Sequence, residues 1–171
     1  MAGRPIVLYG DPVLREIAKP VDEIDQSLKD LVADLTATLR SAKGLGLAAP
    51  QIGESKRIFI LDLSAIDLTE SLRVFINPEI VIKSGEILLE EGCLSFPGIY
   101  QKIIRPEKII VKALDLDGKE FTLEASGMLS RAIQHEYDHL EGTLFIDYLS
   151  SFSLMMLKGR LSKLKKTAAA S

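Results

Sequence analysis

Residues 127–140 read GMLSRAIQHEYDHL. The apolar residues in this stretch recur every three or four positions, which is the spacing of one helix face. They are Leu129, Ala132, Ile133, Tyr137 and Leu140. Gly142 follows, and glycine commonly ends a helix. The stretch therefore predicts a helix, and the rest of the chain is interpreted around it.

The same helix carries the pattern His-Glu-x-x-His at residues 135–139. Side chains four residues apart lie on one helix face about one turn apart, so His135 and His139 can reach a single metal ion. Glu136 lies about 100° around the helix from His135 and about 60° from His139. From there it can hydrogen-bond a water molecule without binding the metal. The pattern predicts a metal-dependent hydrolase, and two satisfied core histidines are the alternative interpretation.

A catalytic metal site needs a third protein ligand and one open position. The chain contains two histidines and one cysteine, so a third histidine is excluded. Cys93 follows a predicted strand and a glycine, which makes it a candidate ligand. A lone cysteine is more often a small buried apolar residue, and residue type alone leaves both interpretations open.

The segment 44–51 reads GLGLAAPQ. Its glycines permit close approach of another chain, although a helix end with tight packing explains them equally well. It does not have the pattern of a phosphate-binding loop, because no Lys-Ser/Thr pair follows. Gln51 could present an amide donor to a developing oxyanion.

The remaining pattern predicts an α+β fold. Asp25–Ala42 is predicted as the first helix, and a third helix is predicted at about residues 152–166. Between Arg57 and Leu123 the sequence has short β-type runs without helices between them, which favours antiparallel sheets. The runs are 57–63, 74–76, 79–82, 86–89, 109–114 and 120–123. We therefore expect antiparallel sheets packed around the central helix, with an N-terminal and a C-terminal helix. We expect one domain over residues 1–171, of which 152–171 are the C-terminal helix and tail.

Composition limits the function classes. The formal net charge is -3, which does not indicate a DNA-binding protein. No segment approaches the roughly 18 apolar residues of a membrane span, and the N-terminus lacks the apolar core of a signal peptide. These features predict a cytoplasmic protein that does not act at a membrane.

Three ordered segments together resemble the peptide deformylase family. They are Gly44–Gln51, Glu91–Ser95 (EGCLS) and His135–His139 (HEYDH). The opening segments 11–15 and 18–21 are also similar to that family, so the resemblance spans about residues 6–149. It implies that Cys93 joins His135 and His139 as a metal ligand.

The resemblance implies removal of formate from N-formylmethionyl nascent peptides. Glu136 would take a proton from the attacking water and return it to the leaving amine. Gln51 and the Leu94 N–H would stabilise the tetrahedral oxyanion, and Gly46 would pair with an extended substrate backbone. Ferrous iron is the expected native metal, with zinc or nickel possible in purified protein.

The methionine side chain would need an apolar pocket. Three residues share the helix face of the histidines and two others lie nearby, with Arg131 contributing its aliphatic stem. This expected lining is Leu45, Leu89, Met128, Arg131 and Ala132. Tyr100 stands where some family members have arginine, which makes substrate contacts beyond the first residue uncertain.

Two charged features have alternatives. Glu91 and Arg105 either form an ion pair that holds the Cys93 loop or are unrelated surface charges. The basic residues of the last helix are either a solvated surface or a docking face for ribosomal RNA near the exit tunnel.

Two rival functions remain from the sequence. One is a metallopeptidase that uses the same three ligands. The other is a structural metal site closed by Glu136 or Asp138, although Asp138 should point away from the metal.

Overall fold

The computed structural model describes residues 3–171. The first helix is α1 (Gln26–Ala42). Asp25 caps its N-terminus, because the Asp25 carboxylate accepts a hydrogen bond from the Leu28 N–H. The helix ends at Lys43, which adopts a left-handed conformation (φ 58°) and donates its N–H to the Leu39 carbonyl. The leucines at helical spacing are buried against the sheet, as the pattern predicts.

Seven strands form two antiparallel sheets. Their bounds are β1 (Gly46–Ala48), β2 (Ile58–Leu61), β3 (Arg73–Ser84), β4 (Ile87–Gly92), β5 (Tyr100–Arg105), β6 (Lys108–Leu114) and β7 (Glu120–Ser126). The larger sheet has the order β1-β2-β3-β6-β7, and β4 pairs with β5 in a two-stranded ribbon. The predicted α+β class with antiparallel sheets is confirmed.

The strand pattern differs from the prediction in three places. The runs 74–76 and 79–82 are parts of one strand, β3, with a register shift at Asn77-Pro78. Asn77 has a positive φ of 49°, and its side chain hydrogen-bonds the backbone of Val21 in both directions. β1 and β5 were not predicted. β1 has only three residues, and β5 lies where the apolar alternation is broken by charged and polar residues.

The second helix, α2 (Gly127–Leu140), lies between the large sheet and the β4–β5 ribbon. Ile133 and Leu140 are fully buried with Phe59, Phe75 and Val111 of the sheet. On the ribbon side the helix presents polar residues instead. The central position predicted for this helix is confirmed, and it brings both histidines between two layers.

The third helix, α3 (Ser151–Ala169), packs on the surface. Only Leu157 and Leu161 of this helix are buried, in a cluster with Leu14, Phe96 and Phe145. It runs three residues beyond the predicted end at residue 166. Within residues 3–171, no helix combines the length and the apolar character that crossing a membrane requires.

Candidate metal centre

Two elements bring three potential ligands together. His135 and His139 project from α2, and Cys93 begins the turn that follows β4. Their ligand atoms all lie within 4.8 Å of one another, and the Cys93 Sγ is 3.4 Å from the His139 Nε2. Helical spacing predicted this arrangement for the histidines, and the family resemblance implied Cys93, which lies 42 residues before His135. The structure confirms that all three come together.

The donor set fits a divalent transition metal. One thiolate and two imidazoles suit zinc or ferrous iron, and three protein ligands leave a position open. Burial lowers the pKa of His139 well below its usual value. His139 is therefore neutral and ready to bind a metal. Buried Glu136 Oε1 and His139 Nδ1 have no hydrogen-bond partner among the described residues.

Glu91 orients His135. Its Oε1 lies 2.9 Å from the His135 Nδ1, so the Nδ1–H donates to the carboxylate and leaves Nε2 for the metal. Arg105 Nη2 donates to the same oxygen at 2.9 Å, and Arg131 Nη1 donates to Oε2. Burial alone would raise the pKa of Glu91, but the hydrogen bonds from His135 and Arg105 lower it to about 2.

Of the two alternatives left open for Glu91 and Arg105, the structure shows the ion pair, and both side chains are buried. The sequence reasoning missed the other partners of Glu91, which are His135 and Arg131. It also missed Ser95, which hydrogen-bonds Gln51. The segment Glu91–Ser95 was already recognised for its cysteine, but nothing in the sequence indicates which charges meet Glu91.

Asp138 points away from the ligand cluster, as expected. Its carboxylate accepts hydrogen bonds from Arg105 Nη1 at 2.9 Å and from the Tyr148 hydroxyl at 2.7 Å. Arg105 also lies over the Tyr148 ring, 4.9 Å from its centroid. Arg105 therefore connects Glu91 to the far side of α2.

Glu136 is buried beside the ligands. Burial raises the pKa of its carboxyl to about 7. Its Oε2 approaches Gly46 so closely that a Cβ there would lie 2.7 Å away. Only glycine at this position lets the β1 backbone come this near to the carboxylate.

Gln51 faces the cysteine. Its Oε1 accepts a hydrogen bond from the Ala48 N–H at 3.0 Å, which fixes the orientation of the amide. Its Nε2 donates to the Ser95 Oγ at 3.1 Å and lies 3.6 Å from the Cys93 Sγ. Within residues 3–171, no protein group accepts a hydrogen bond from the Leu94 N–H.

A cavity of about 360 Å³ opens beside the ligands. Most of the expected substrate residues line it: Leu45, Gly46, Tyr100, Met128, Arg131 and Ala132. Leu89 does not, so the structure leaves this expected pocket residue out. Arg131 has its guanidinium buried on Glu91 and the Ile87 carbonyl, and only the rest of its side chain remains for the cavity wall.

Two histidines and a glutamate on one helix, joined by a cysteine beside a cavity, define a class of protein: the single-metal hydrolases. Comparison with known proteins narrows that class. Residues 3–154 match the family model described as Polypeptide deformylase. The chain therefore belongs to the polypeptide deformylase family, and it is a hydrolase with a metal site at Cys93, His135 and His139.

Individual relatives agree with this assignment. The chain is 47% identical to a peptide deformylase of Acidobacterium capsulatum over 163 residues, which cover 95% of this chain and 96% of the relative. It is 53% identical to peptide deformylase 1 of Clostridium perfringens over 148 residues, covering 86% and 99%. A crystal structure of a peptide deformylase from Legionella pneumophila superimposes with a TM-score of 0.89 at 45% identity, covering 99% of each chain.

Proposed function

We propose that this chain removes the formyl group from the N-terminal N-formylmethionine of newly synthesised polypeptides. The observation that carries the proposal is the convergence of Cys93, His135 and His139, of which Cys93 and His135 line the cavity together with Glu136. A bound metal ion would supply Lewis-acid polarisation of the formyl oxygen and lower the pKa of a water molecule.

Glu136 is proposed to move the proton. Its pKa of about 7 allows it to accept a proton from the attacking water and to return that proton to the leaving amine near neutral pH. Glu136 follows His135 directly on the helix, so its carboxylate lies beside the metal ligands but is not itself a ligand.

Gln51 and the Leu94 N–H are proposed to stabilise the oxyanion. The Gln51 amide is preorganised, because the Ala48 N–H holds its oxygen and turns the NH₂ group toward the cysteine. Such fixed donors stabilise developing charge without reorganising during the reaction.

Gly46 is proposed to pair with the substrate backbone. β1 is an edge strand, and the Asp62 N–H bonds the Leu45 carbonyl. Hydrogen-bonded and non-hydrogen-bonded pairs alternate in an antiparallel ladder, so the N–H and C=O of Gly46 point away from β2. They remain available to an extended peptide in the cavity.

The methionine side chain is proposed to enter the apolar part of the cavity. Leu45, Met128, Ala132 and the stem of Arg131 form this part, and Tyr100 lies at the ribbon side against Gly92. Leu89 is not included, because it lies outside the cavity lining.

Ferrous iron is proposed as the native metal, with zinc or nickel found in protein purified in air. A thiolate ligand suits each of these ions, and iron beside it exposes Cys93 to oxidation. Metal analysis of anaerobically purified protein should find iron, and its activity should decay faster in air than without oxygen. Equal half-lives would contradict iron.

A formate-release assay tests the reaction. The purified protein should release formate from N-formyl-Met-Ala-Ser and should leave acetylated and longer blocked peptides intact. Internal cleavage of the longer peptides would instead support a metallopeptidase. Loss of the metal from a Glu136→Ala variant would support a structural metal site.

The setting of the reaction is proposed to be the cytoplasm, with residues 1–171 acting as one catalytic domain that docks on the ribosome through α3. The exposed lysines of this helix, Lys158, Lys163, Lys165 and Lys166, are suited to phosphate contacts. Ribosome binding should fall steeply with salt and disappear without residues 152–171. Salt-independent binding, or none, would contradict this docking.

A further inference from the structure

A single exposed lysine stands at the mouth of the cavity. Lys43 lines the cavity together with Gly44 and Leu45, and its side chain is exposed. Within residues 3–171, no ion pair within 4 Å involves its amine. Lys43 is therefore a free positive charge at the entrance.

The backbone at Lys43 is unusual for a lysine. It adopts a left-handed conformation, with φ 58° and ψ 34°, at the end of α1. Glycine is the residue that most often takes this place, because it has no Cβ to clash. Glycine would leave no side chain at the mouth, whereas lysine places a cation there.

The direction of the proposed substrate brings its next residues to this lysine. The reacting end lies near Gly46, since Glu136 contacts that residue, and Lys43 is three residues earlier in the chain. Three residues span at most about 11 Å. An extended peptide covers about 3.3 Å per residue, so its second and third residues reach Lys43.

Two other charged residues that line the cavity have partners of opposite charge. Glu90 has Lys102 as its direct cross-strand partner on β5, and directly opposed side chains in an antiparallel pair lie close enough to interact. Arg131 is bound by Glu91. Among the described residues that line the cavity, Lys43 is therefore the cation that no carboxylate binds within 4 Å.

We propose that Lys43 is a specificity-determining residue that favours formylated chains with acidic side chains at their second and third residues. This proposal rests on the proposed deformylase function. It concerns the chemistry of the residues after the methionine, which the metal centre does not contact.

The test compares matched peptides of the form formyl-Met-X-X-Ala-Ser-amide, with aspartate, asparagine or lysine at both X positions. The amide removes the C-terminal charge that would otherwise interact with Lys43. The wild-type protein should have a kcat/KM two to five times higher for the aspartate peptide than for the lysine peptide, which is about the strength of an exposed ion pair. The ratio should approach one in about 1 M salt, because salt screens exposed charges.

Two variants separate this effect from general damage. Lys43→Asn introduces a residue that tolerates the left-handed conformation, and it should bring the aspartate-to-lysine ratio of kcat/KM close to one. Lys43→Glu should reverse the preference, so that the lysine peptide has the higher kcat/KM. Lys29→Asn is the matched control, since it makes the same charge change 14 residues away on α1, about 21 Å along the helix. Its ratio should equal that of the wild type.

The outcomes are distinguishable. If no peptide releases formate, the proposed function fails. If formate is released but the aspartate-to-lysine ratio is one in the wild type, or is unchanged by both Lys43 variants, the role of Lys43 is overturned.

Discussion

The helices α2 and α3 have similar lengths, 14 and 19 residues, but opposite relations to the protein. α2 buries charged and polar side chains as well as apolar ones, including Arg131, Glu136 and His139. α3 buries two leucines, and its lysines and arginine are exposed. Helical periodicity alone therefore does not indicate which helix carries functional side chains. That depends on the residues that other elements of the fold place against the helix.

The largest effect is expected on α2 itself. Glu136→Ala should lower kcat by at least about 100-fold, because a positioned general base contributes that much or more. The metal should remain bound, since Glu136 is not a ligand, and a formate-release assay with metal analysis measures both. Glu141→Ala removes the same charge at the end of α2 and should stay within about twofold of the wild type. An equal loss of kcat in Glu136→Ala and Glu141→Ala would contradict a specific catalytic role for the buried Glu136.

The next largest effect is expected at Glu91, the residue of the β4–β5 ribbon that hydrogen-bonds His135 and Arg131 of α2. Glu91→Ala leaves Arg131 buried without a carboxylate and Arg105 with Asp138 alone, which should cost about 3–5 kcal/mol in the free energy of unfolding. It should also weaken metal affinity by about 10–100-fold, because His135 loses its hydrogen-bond acceptor. Urea denaturation and metal titration measure the two effects. Glu90→Ala, in the adjacent exposed position, should change the unfolding free energy by less than about 0.5 kcal/mol.

Arg105→Ala tests the same network from the other side. Glu91 keeps Arg131 and His135, so the loss should be smaller than for Glu91→Ala, about 2–3 kcal/mol in the free energy of unfolding. Metal content and activity should fall with it. Unchanged metal content and activity would contradict the idea that this ion pair holds the Cys93 loop.

The stability contributed by α3 should depend mainly on its buried leucines. Leu157→Ala, at a buried position, should cost about 2 kcal/mol in the free energy of unfolding because it leaves a cavity in the cluster with Phe96 and Phe145. Met156→Ala, where the side chain is 67% exposed, should cost less than about 0.5 kcal/mol. Similar values for both variants would mean that α3 does not pack as described.

The features that could be predicted from the sequence are those that depend on residues close together in the chain. The spacing of His135, Glu136 and His139 follows from helix geometry, and the leucines of α1 follow from its periodicity. Residue type alone does not distinguish Cys93 as a metal ligand from a small buried residue, and only the three ordered motifs indicate that it is a ligand. The expectation of a single domain stays a prediction.

The remaining features depend on contacts between distant segments. Arg131 lines the cavity as its helix face predicts, but the sequence does not indicate that Glu91, 40 residues earlier, binds its guanidinium. Leu89 was expected in the lining and does not line the cavity. β1 is too short to give a periodic signal, and its existence depends on pairing with β2.

The exposed edge of β1 has one more consequence. An unpaired strand edge usually invites pairing with any other strand and is a risk for aggregation. Here the N–H and C=O that point away from β2 belong to Gly46, which lines the cavity. In the proposed function these groups pair with an extended substrate. A substrate held in this way would need first residues that are not yet folded, so the edge itself would select for unfolded chain ends.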